Sequence, residues 1–410
     1  MHQEALDRYA RLALTVGSNL QEGQPLLINA STEALPLVRA IAAAAYELGA
    51  SSVTPLLTDP QSVRIELDKL HEKYLDEAPP WFVEARVKAL KDGAAVISLV
   101  DEDPNLLRGV DPARLQRRQR ALMRQRQAYM ELIGAHAVNW LVIGAASPGW
   151  ARALFPEMDE AAAIERLWNA IFTTVRLDQD DPEAAWRKHL SRLQQRAKML
   201  NQARLAALHF RGPGTDLRVG LAPGHVWKSA IAKAANGVSF VPNLPTEEVF
   251  TAPDPNRVEG VVRSTRPLNL SGTLVDGISA RFENGRAVEV TAERGQEALE
   301  GLLASDEGAL RLGEVALVET PNPVYDAGFL FQSTLYDENA SSHIAFGRAY
   351  PDTLGISDGS DEALAAAGGN VSMIHVDWMI GSPEVDVDGL GAGGERIPLM
   401  RGGRWVEENK

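Results

Sequence analysis

The sequence contains no cysteine, so disulfide bonds and cysteine-ligated zinc sites are both excluded. Any metal ion must therefore be held by histidine, aspartate and glutamate. No apolar run reaches the roughly 18 residues that a membrane-spanning helix needs, and we predict no membrane association. The opening MHQEALDRYARLAL lacks the basic start and apolar core of a signal peptide. We therefore expect a cytoplasmic protein.

Basic residues are also fewer than acidic residues. The chain has 41 lysines and arginines against 55 aspartates and glutamates, which gives a formal net charge of −14. A nucleic-acid-binding protein needs a basic surface to replace the counterions of the phosphates. The one basic run, residues 114–126, has the spacing of an exposed face on a long helix. We therefore predict no nucleic-acid partner.

The first half of the chain alternates between two kinds of segment, and a chain of 410 residues is expected to form about two domains. Short apolar runs typical of buried strands are separated by segments with helical spacing. This alternation predicts a mostly parallel sheet covered by helices on both faces. We predict an α/β domain over residues 1–195, with strands near 25–30, 52–57, 94–100 and 140–145.

The second half follows a long polar helix, predicted at about 183–204, and has a different character. Glycine, proline and turn signals become dense, such as Asn284-Gly285 between two apolar strands. These features indicate hairpins and antiparallel pairing. We predict an α+β, β-rich domain over residues 205–410.

Two glycine motifs resemble functional signatures but lack the structural context these require. Residues 389–394 fit G-x-G-x-x-G, yet no apolar strand precedes them and no βαβ unit follows, so a flexible surface loop is expected. Residues 355–359 fit G-x-S-x-G, but a turn-like segment precedes them instead of a buried strand. Ser357 or Ser360 is predicted to cap a helix at 361–367.

The segment SMIHVDWMI, residues 372–380, has the composition of a strand. Side chains two positions apart on a strand project to one face, so His375 and Asp377 project together while the apolar residues between them face the core. An imidazole and a carboxylate fixed on one face suit a divalent cation. The alternative is a buried hydrogen bond between the histidine and the aspartate.

Three further segments hold residues of the same chemical types. Glu338 and His343 are five apart, at the predicted start of a short helix capped near Asn339, where the chain can wrap around an ion. Glu314 stands at the entrance of an apolar strand. Glu248 follows another glutamate between two prolines, and a solvated acidic loop is the alternative there. Each of these segments by itself is weak evidence for a metal site.

Together the four segments resemble the thermophilic metalloaminopeptidase family, which includes aminopeptidases T and S. The resemblance extends over essentially the whole chain. The motifs that carry it, in this order and spacing, are NLPTEEVFTAP, LGEVALV, DENASSHIAFGRAY and HVDWMIGS.

The resemblance implies a site and a function. It implies an α/β domain followed by a metal-bearing domain, a homodimer, and hydrolysis of peptide substrates from the amino terminus. Tyr350 matches a tyrosine with a catalytic role beside the metals, and Glu314 matches a bridging carboxylate. Two divalent ions per subunit are implied, zinc or cobalt foremost, with magnesium or manganese as alternatives. The ligands implied are Glu248, Glu314, Glu338, His343, His375 and Asp377.

Two other functions stay open at this stage. The same donors suit a two-metal hydrolase acting on another substrate class, because fold and ligand set do not determine the substrate. They also suit a non-catalytic metal-binding protein, which would show a closed coordination shell.

Overall fold

A computed structural model describes residues 3–270 and 272–406 of the chain. Its contacts divide the chain into two compact units. The first unit comprises Met1–Arg187 and Ile231–Pro245, and the second comprises Lys188–Ala230 and Thr246–Lys410. The domain boundaries at residues 195 and 205 stay a prediction.

The first unit is built on a five-stranded sheet in which every neighbouring pair is parallel, which confirms the predicted fold class for this half. Pro55 is tolerated because its strand lies at the edge, where one side needs no hydrogen-bond donor. In spatial order the strands are Asn243–Leu244, Trp140–Gly144, Ala95–Val100, Pro25–Ser31 and Ser52–Thr58. A small hairpin pairs Ala232–Lys233 with Ser239–Phe240.

Helices fill the predicted gaps between these strands, and several begin at side-chain caps of the preferred types, such as Asp59 and Asp159. The α-helices are Gln3–Leu12, Leu35–Glu47, Pro60–Lys69, Trp81–Lys91, Pro112–Gly134, Pro148–Leu154 and Glu160–Thr174, with short turns at Ala13–Gly17, Thr32–Ala34 and Glu72–Tyr74. Helix Pro182–Ala203 then leads the chain from the first unit into the second.

The basic run lies on helix Pro112–Gly134, as predicted, but its expected exposure was wrong for Arg118, which is buried. Arg117 forms an ion pair with Asp76 at 2.5 Å, and Arg118 pairs with Glu66. These two ion pairs therefore attach the helix to the segments that contain Glu66 and Asp76.

The second unit contains two large antiparallel sheets and a two-stranded hairpin, as its turn-rich sequence predicted. The predicted hairpin turn is present at Asn284 and Gly285, which both have positive φ. One sheet has the order Arg286–Thr291, Ser279–Glu283, Pro253–Arg263, Thr215–Leu221, Ala207–Gly212, Asp386–Leu390, Arg396–Arg401 and Arg404–Trp405. The other has the order His375–Met379, His343–Gly347, Leu312–Val318, Glu248–Thr251 and Lys228–Ser229.

Shorter elements complete the second unit. Ser360 caps the helix after it by accepting a hydrogen bond from Ala363 N, as predicted. The expected loop at 389–394 was wrong for its first two residues, because Gly389 and Leu390 pair within a strand. The remaining α-helices are Gln296–Leu303, Thr334–Asp337 and Asp361–Ala366. The remaining strands are Leu268–Leu270 and Thr273–Val275, and short helical turns lie at Gly308–Leu310, Tyr325–Ala327, Glu338–Ala340 and Pro351–Leu354.

The core of the second unit lies between its two large sheets. Phe282 of the eight-stranded sheet stacks on Phe346 with 6.0 Å between ring centroids, and Phe346 stacks on Trp378 at 5.4 Å. Every residue of strand Leu312–Val318 is buried. The core rings hold the five-stranded sheet rigidly from one side and leave its other face for the site.

Candidate metal centre

One face of the five-stranded antiparallel sheet collects most of the predicted site residues. Residues paired directly across neighbouring strands share a face, and so do residues two apart along one strand. The register pairs Glu248 with Val318, Ala316 with His343, Glu314 with Ala345, Ala345 with Asp377 and Gly347 with His375. These pairings place the side chains of Glu248, Glu314, His343, His375 and Asp377 on the same face.

The centre of this face is occupied by small residues. Ala345 lies between Glu314 and Asp377, and Ala316 lies beside His343. Both alanines are fully buried. Longer side chains at these two positions would fill the space between the donors, so the sheet leaves room for ions there.

A β-bulge aims Glu314 at this face. Leu312 pairs with Phe346 and Glu314 with Ala345, so Gly313 is the extra residue in its strand. A Cβ on Gly313 would lie 2.3 Å from the carbonyl oxygens of Gly347 and Arg348, a distance at which only glycine fits. Leu312 therefore faces the core and Glu314 faces the site. The prediction that Glu314 stands at the strand entrance was wrong, because it lies inside the strand.

Glu338 approaches these residues from outside the sheet, near enough to be repelled by Asp377 and Glu248, but it belongs to neither three-residue group described below. It follows helix Thr334–Asp337 and opens the short turn Glu338–Ala340. The prediction that Glu338 and His343 begin a short helix capped near Asn339 was wrong, because the helix ends there and His343 begins a strand. The Asn339 side chain bonds backward to Leu335 O instead of capping the residues after it.

The donor atoms lie close enough to share ions. His343 Nε2 is 3.1 Å from Glu248 Oε2 and 3.5 Å from Glu314 Oε1. His375 Nε2 is 3.8 Å from Glu314 Oε2 and 3.4 Å from Asp377 Oδ1. Two groups of three candidate ligands result, each with its donor atoms within 4.8 Å of one another. Within the described ranges, Glu314 is the residue that the two groups share.

Backbone contacts orient both imidazoles toward these carboxylates. His375 Nδ1 lies 2.7 Å from Arg348 O, and His343 Nδ1 lies 3.3 Å from Ser341 O. An N–H on Nδ1 leaves the lone pair of Nε2 directed at the neighbouring carboxylates, which is the arrangement typical of metal-binding histidines.

Two buried carboxylate oxygens have no donor. Glu248 Oε2 and Asp377 Oδ1 accept no hydrogen bond from any residue that the structure describes. The predicted alternative of a His375–Asp377 hydrogen bond therefore does not account for Asp377 Oδ1. A buried acceptor without a donor is costly unless a cation binds it, so these donors fit a divalent ion.

The site is electrostatically strained without a cation. Burial, followed by repulsion from Asp377 and Glu248, raises the pKa of Glu314 from 4.5 to about 7. Burial and repulsion from Asp377 likewise raise the pKa of Glu338. Burial alone would lower the pKa of His375, but Asp377 and Glu314 raise it to about 9. A divalent ion would displace these protons, because ligands bind it deprotonated.

These pKa shifts predict how the stability of the metal-free protein depends on pH. Because the folded pKa of Glu314 exceeds 4.5, its contribution to the free energy of unfolding is complete below that pH and is lost as pH rises through about 7. The loss expected from Glu314 is about 3 kcal/mol. His375 lowers the free energy of unfolding further as pH rises from 6.5 through about 9. Urea unfolding of chelator-treated protein between pH 5 and 9 checks this, and a flat profile would contradict it.

Tyr350 lies at the edge of the same face. Its ring is 4.5 Å from the His375 ring and 6.5 Å from the Phe250 ring. Although 46% of the residue is exposed, loss of hydration around the hydroxyl and repulsion by Glu314 and Asp377 raise its pKa well above 10. The phenol therefore keeps its proton at neutral pH and can donate a hydrogen bond.

The adjacent Glu247 belongs to a different environment. Neighbouring residues of an extended segment point to opposite sides, and Glu247 is buried 3.4 Å from His189 Nε2. His189 also contacts Thr246 O at 2.8 Å. The sequence singled out Glu248 from this pair by resemblance alone, and the structure supplies a physical reason for the difference.

Comparison with known proteins agrees with this geometry. The family described as thermophilic metalloprotease (M29) matches residues 2–405. The chain belongs to this metalloprotease family. The family predicted from the four motifs is thereby confirmed, and membership makes the chain a metal-dependent hydrolase of peptide bonds.

Relatives of this M29 protein match it over nearly its whole length. Aminopeptidase T of Thermus aquaticus is 52% identical over 405 residues, covering 98% of both chains. Aminopeptidase AmpS of Bacillus subtilis (strain 168) is 41% identical, again covering 98% of both. The solved structure of wild-type AmpT from Thermus thermophilus superposes with a TM-score of 0.94 at 49% identity, covering 98% of this chain and 99% of that one. In the part of the M29 chain that the structure describes, no helix has the length and apolar character to cross a membrane.

Proposed function

We propose that this chain is an aminopeptidase that releases amino-terminal residues from short peptides with a pair of divalent ions. The observation that carries the proposal is the pair of overlapping ligand groups that share Glu314 on one sheet face. The printed names of the relatives, aminopeptidase T and aminopeptidase AmpS, support the exopeptidase assignment. The proposed ligands are Glu248, Glu314, Glu338, His343, His375 and Asp377.

Charge balance favours two ions over one. The proposed ligand set contains four carboxylates and two histidines that bind as neutral imidazoles. Two divalent ions neutralise the four negative charges, whereas one ion would leave two charges uncompensated in a mostly buried site. The two imidazoles favour zinc or cobalt, while magnesium and manganese prefer sites made of oxygen donors.

The ions would polarise the peptide carbonyl and lower the pKa of a bound water from 15.7 to about 7. Tyr350 then acts as a hydrogen-bond donor to the oxyanion that forms on the attacked carbonyl. A phenol with the ordinary pKa of about 10 keeps its proton at neutral pH. The contact of Tyr350 with His375 fixes its ring beside the proposed ligands. A homodimer, implied by the family resemblance, and a cytoplasmic location, expected from the sequence, complete the proposal.

Hydrolysis of a leucine arylamide tests the assignment. Activity is expected to disappear on chelation and to return with zinc, cobalt or manganese, and metal analysis is expected to give two ions per subunit. A phosphate ester serves as the competing substrate. Arylamide hydrolysis that ignores chelation, or turnover of the ester alone, would overturn the assignment.

A further inference from the structure

Asn339 is a fully buried amide that contacts two of the segments carrying proposed ligands. Its Oδ1 accepts a hydrogen bond of 2.8 Å from the backbone N–H of Glu247, the residue before Glu248. Its Nδ2 donates 3.0 Å to Leu335 O, within the helix that presents Glu338. The same Nδ2 lies 3.5 Å from Glu338 Oε1. One side chain thus joins two parts of the chain that are 92 positions apart.

Neither segment is fixed by the sheet alone. Glu248 is the first residue of its strand, so the chain just before it lacks strand pairing. Glu338 lies outside the sheet, in a turn after a helix of four residues. An asparagine offers one acceptor and two donors on a short, stiff stem, which is the combination that these contacts use.

The backbone of Asn339 is held from the other side. Asn322 Nδ2 donates to Asn339 O at 3.1 Å and to Glu319 O at 2.7 Å. Glu319 directly follows strand Leu312–Val318, which carries Glu314. The turn that presents Glu338 is therefore fixed both to the strand of Glu314 and to the segment of Glu248.

We propose that Asn339 is a positioning residue that fixes Glu338 relative to Glu248 and thereby sets the affinity for divalent metal. The inference rests on the proposed ligand set. Side chains that orient metal ligands from behind typically change metal affinity by about 10–100-fold when they are removed. A purely structural buried amide would change stability and leave affinity untouched.

The test compares zinc affinity in two variants, measured by competition with a chromophoric chelator. Asn339→Leu keeps the branched shape of the side chain and removes its polar contacts. Asn139→Leu is the matched control, because Asn139 is also fully buried, donates to Ser18 O at 2.6 Å and accepts from Gln24 at 2.7 Å within the first unit. If Asn339→Leu does not fold, Asn339→Ser takes its place, since serine is smaller and too short to join both segments.

The expected result is a loss of zinc affinity of about 10–100-fold for the Asn339 variant and unchanged affinity for Asn139→Leu. Wild-type affinity in a folded Asn339 variant would overturn the inference and leave the proposed function intact. Equal losses in both variants would overturn it as well, because they would indicate a general effect of losing a buried amide. Absence of zinc binding by the wild-type chain would instead refute the proposed function, and this inference with it.

Discussion

Glu314→Gln is expected to lower arylamide turnover by roughly 10⁴-fold, the scale on which removal of one member of a catalytic unit acts. Glu314 belongs to both ligand groups, so loss of its charge weakens both at once. The substitution keeps the size and shape of the side chain, and the bulge at Gly313 still aims it at the site. Metal analysis of the purified variant is expected to show fewer than two ions per subunit.

The same variant is expected to be no less stable than the wild type when both are metal-free. At pH 8 the wild-type carboxylate is ionised against repulsion from Asp377 and Glu248, and the amide removes that repulsion. Thermal unfolding with chelator and with zinc checks this. Strong destabilisation of the metal-free variant would contradict it and would make Glu314 a structural partner of the histidines.

The control for this experiment is Glu319→Gln. Glu319 follows the same strand and pairs with Arg196 at 2.7 Å, away from the proposed ligands. Because Arg196 is largely buried, loss of this ion pair is expected to lower the free energy of unfolding. Its turnover and metal content are expected to match the wild type. A comparable loss of activity in this variant would indicate that any change near the strand end inactivates the protein.

The first unit was largely predictable because local patterns determine it. Short apolar strands alternating with amphipathic helices admit few arrangements besides a parallel sheet covered on both faces. Strand Asn243–Leu244 was missed, because two residues carry no periodicity and their pairing with Trp140–Gly144 joins distant parts of the chain. Pairing of that kind depends on the tertiary fold and leaves no local trace.

The geometry of the proposed site was less predictable than its composition. Strand periodicity correctly placed His375 and Asp377 on one face. The same rule would place Leu312 and Glu314 on one face of the sheet, and only the bulge at Gly313 turns them to opposite faces. A helix cap was expected near Asn339, whereas the Asn339 side chain accepts a hydrogen bond from Glu247 N, far away in the sequence. Bulges and long-range side-chain contacts depend on the packed structure. The sequence therefore predicted which residue types form the proposed site, but not how the fold brings them together.

Tyr350→Phe is expected to lower kcat by about 10²–10³-fold, the cost found when one oxyanion donor is removed. Phenylalanine keeps the ring contacts with His375 and Phe250, so the proposed ligands stay in place. The lost hydroxyl acts on charge that develops in the transition state, and KM is therefore expected to change little. Steady-state kinetics at saturating zinc measure both constants.

Metal content separates this role from a structural one. Tyr350 is not among the proposed ligands, so the phenylalanine variant is expected to hold as much zinc as the wild type. Tyr325→Phe is the matched control, because Tyr325 packs against Arg266 at 5.5 Å in another part of the second unit. Unchanged kcat in Tyr350→Phe would remove the phenol from the mechanism. A loss of activity that follows a loss of zinc would mean that the hydroxyl supports the ligands, because a transition-state donor acts only after the metal is bound.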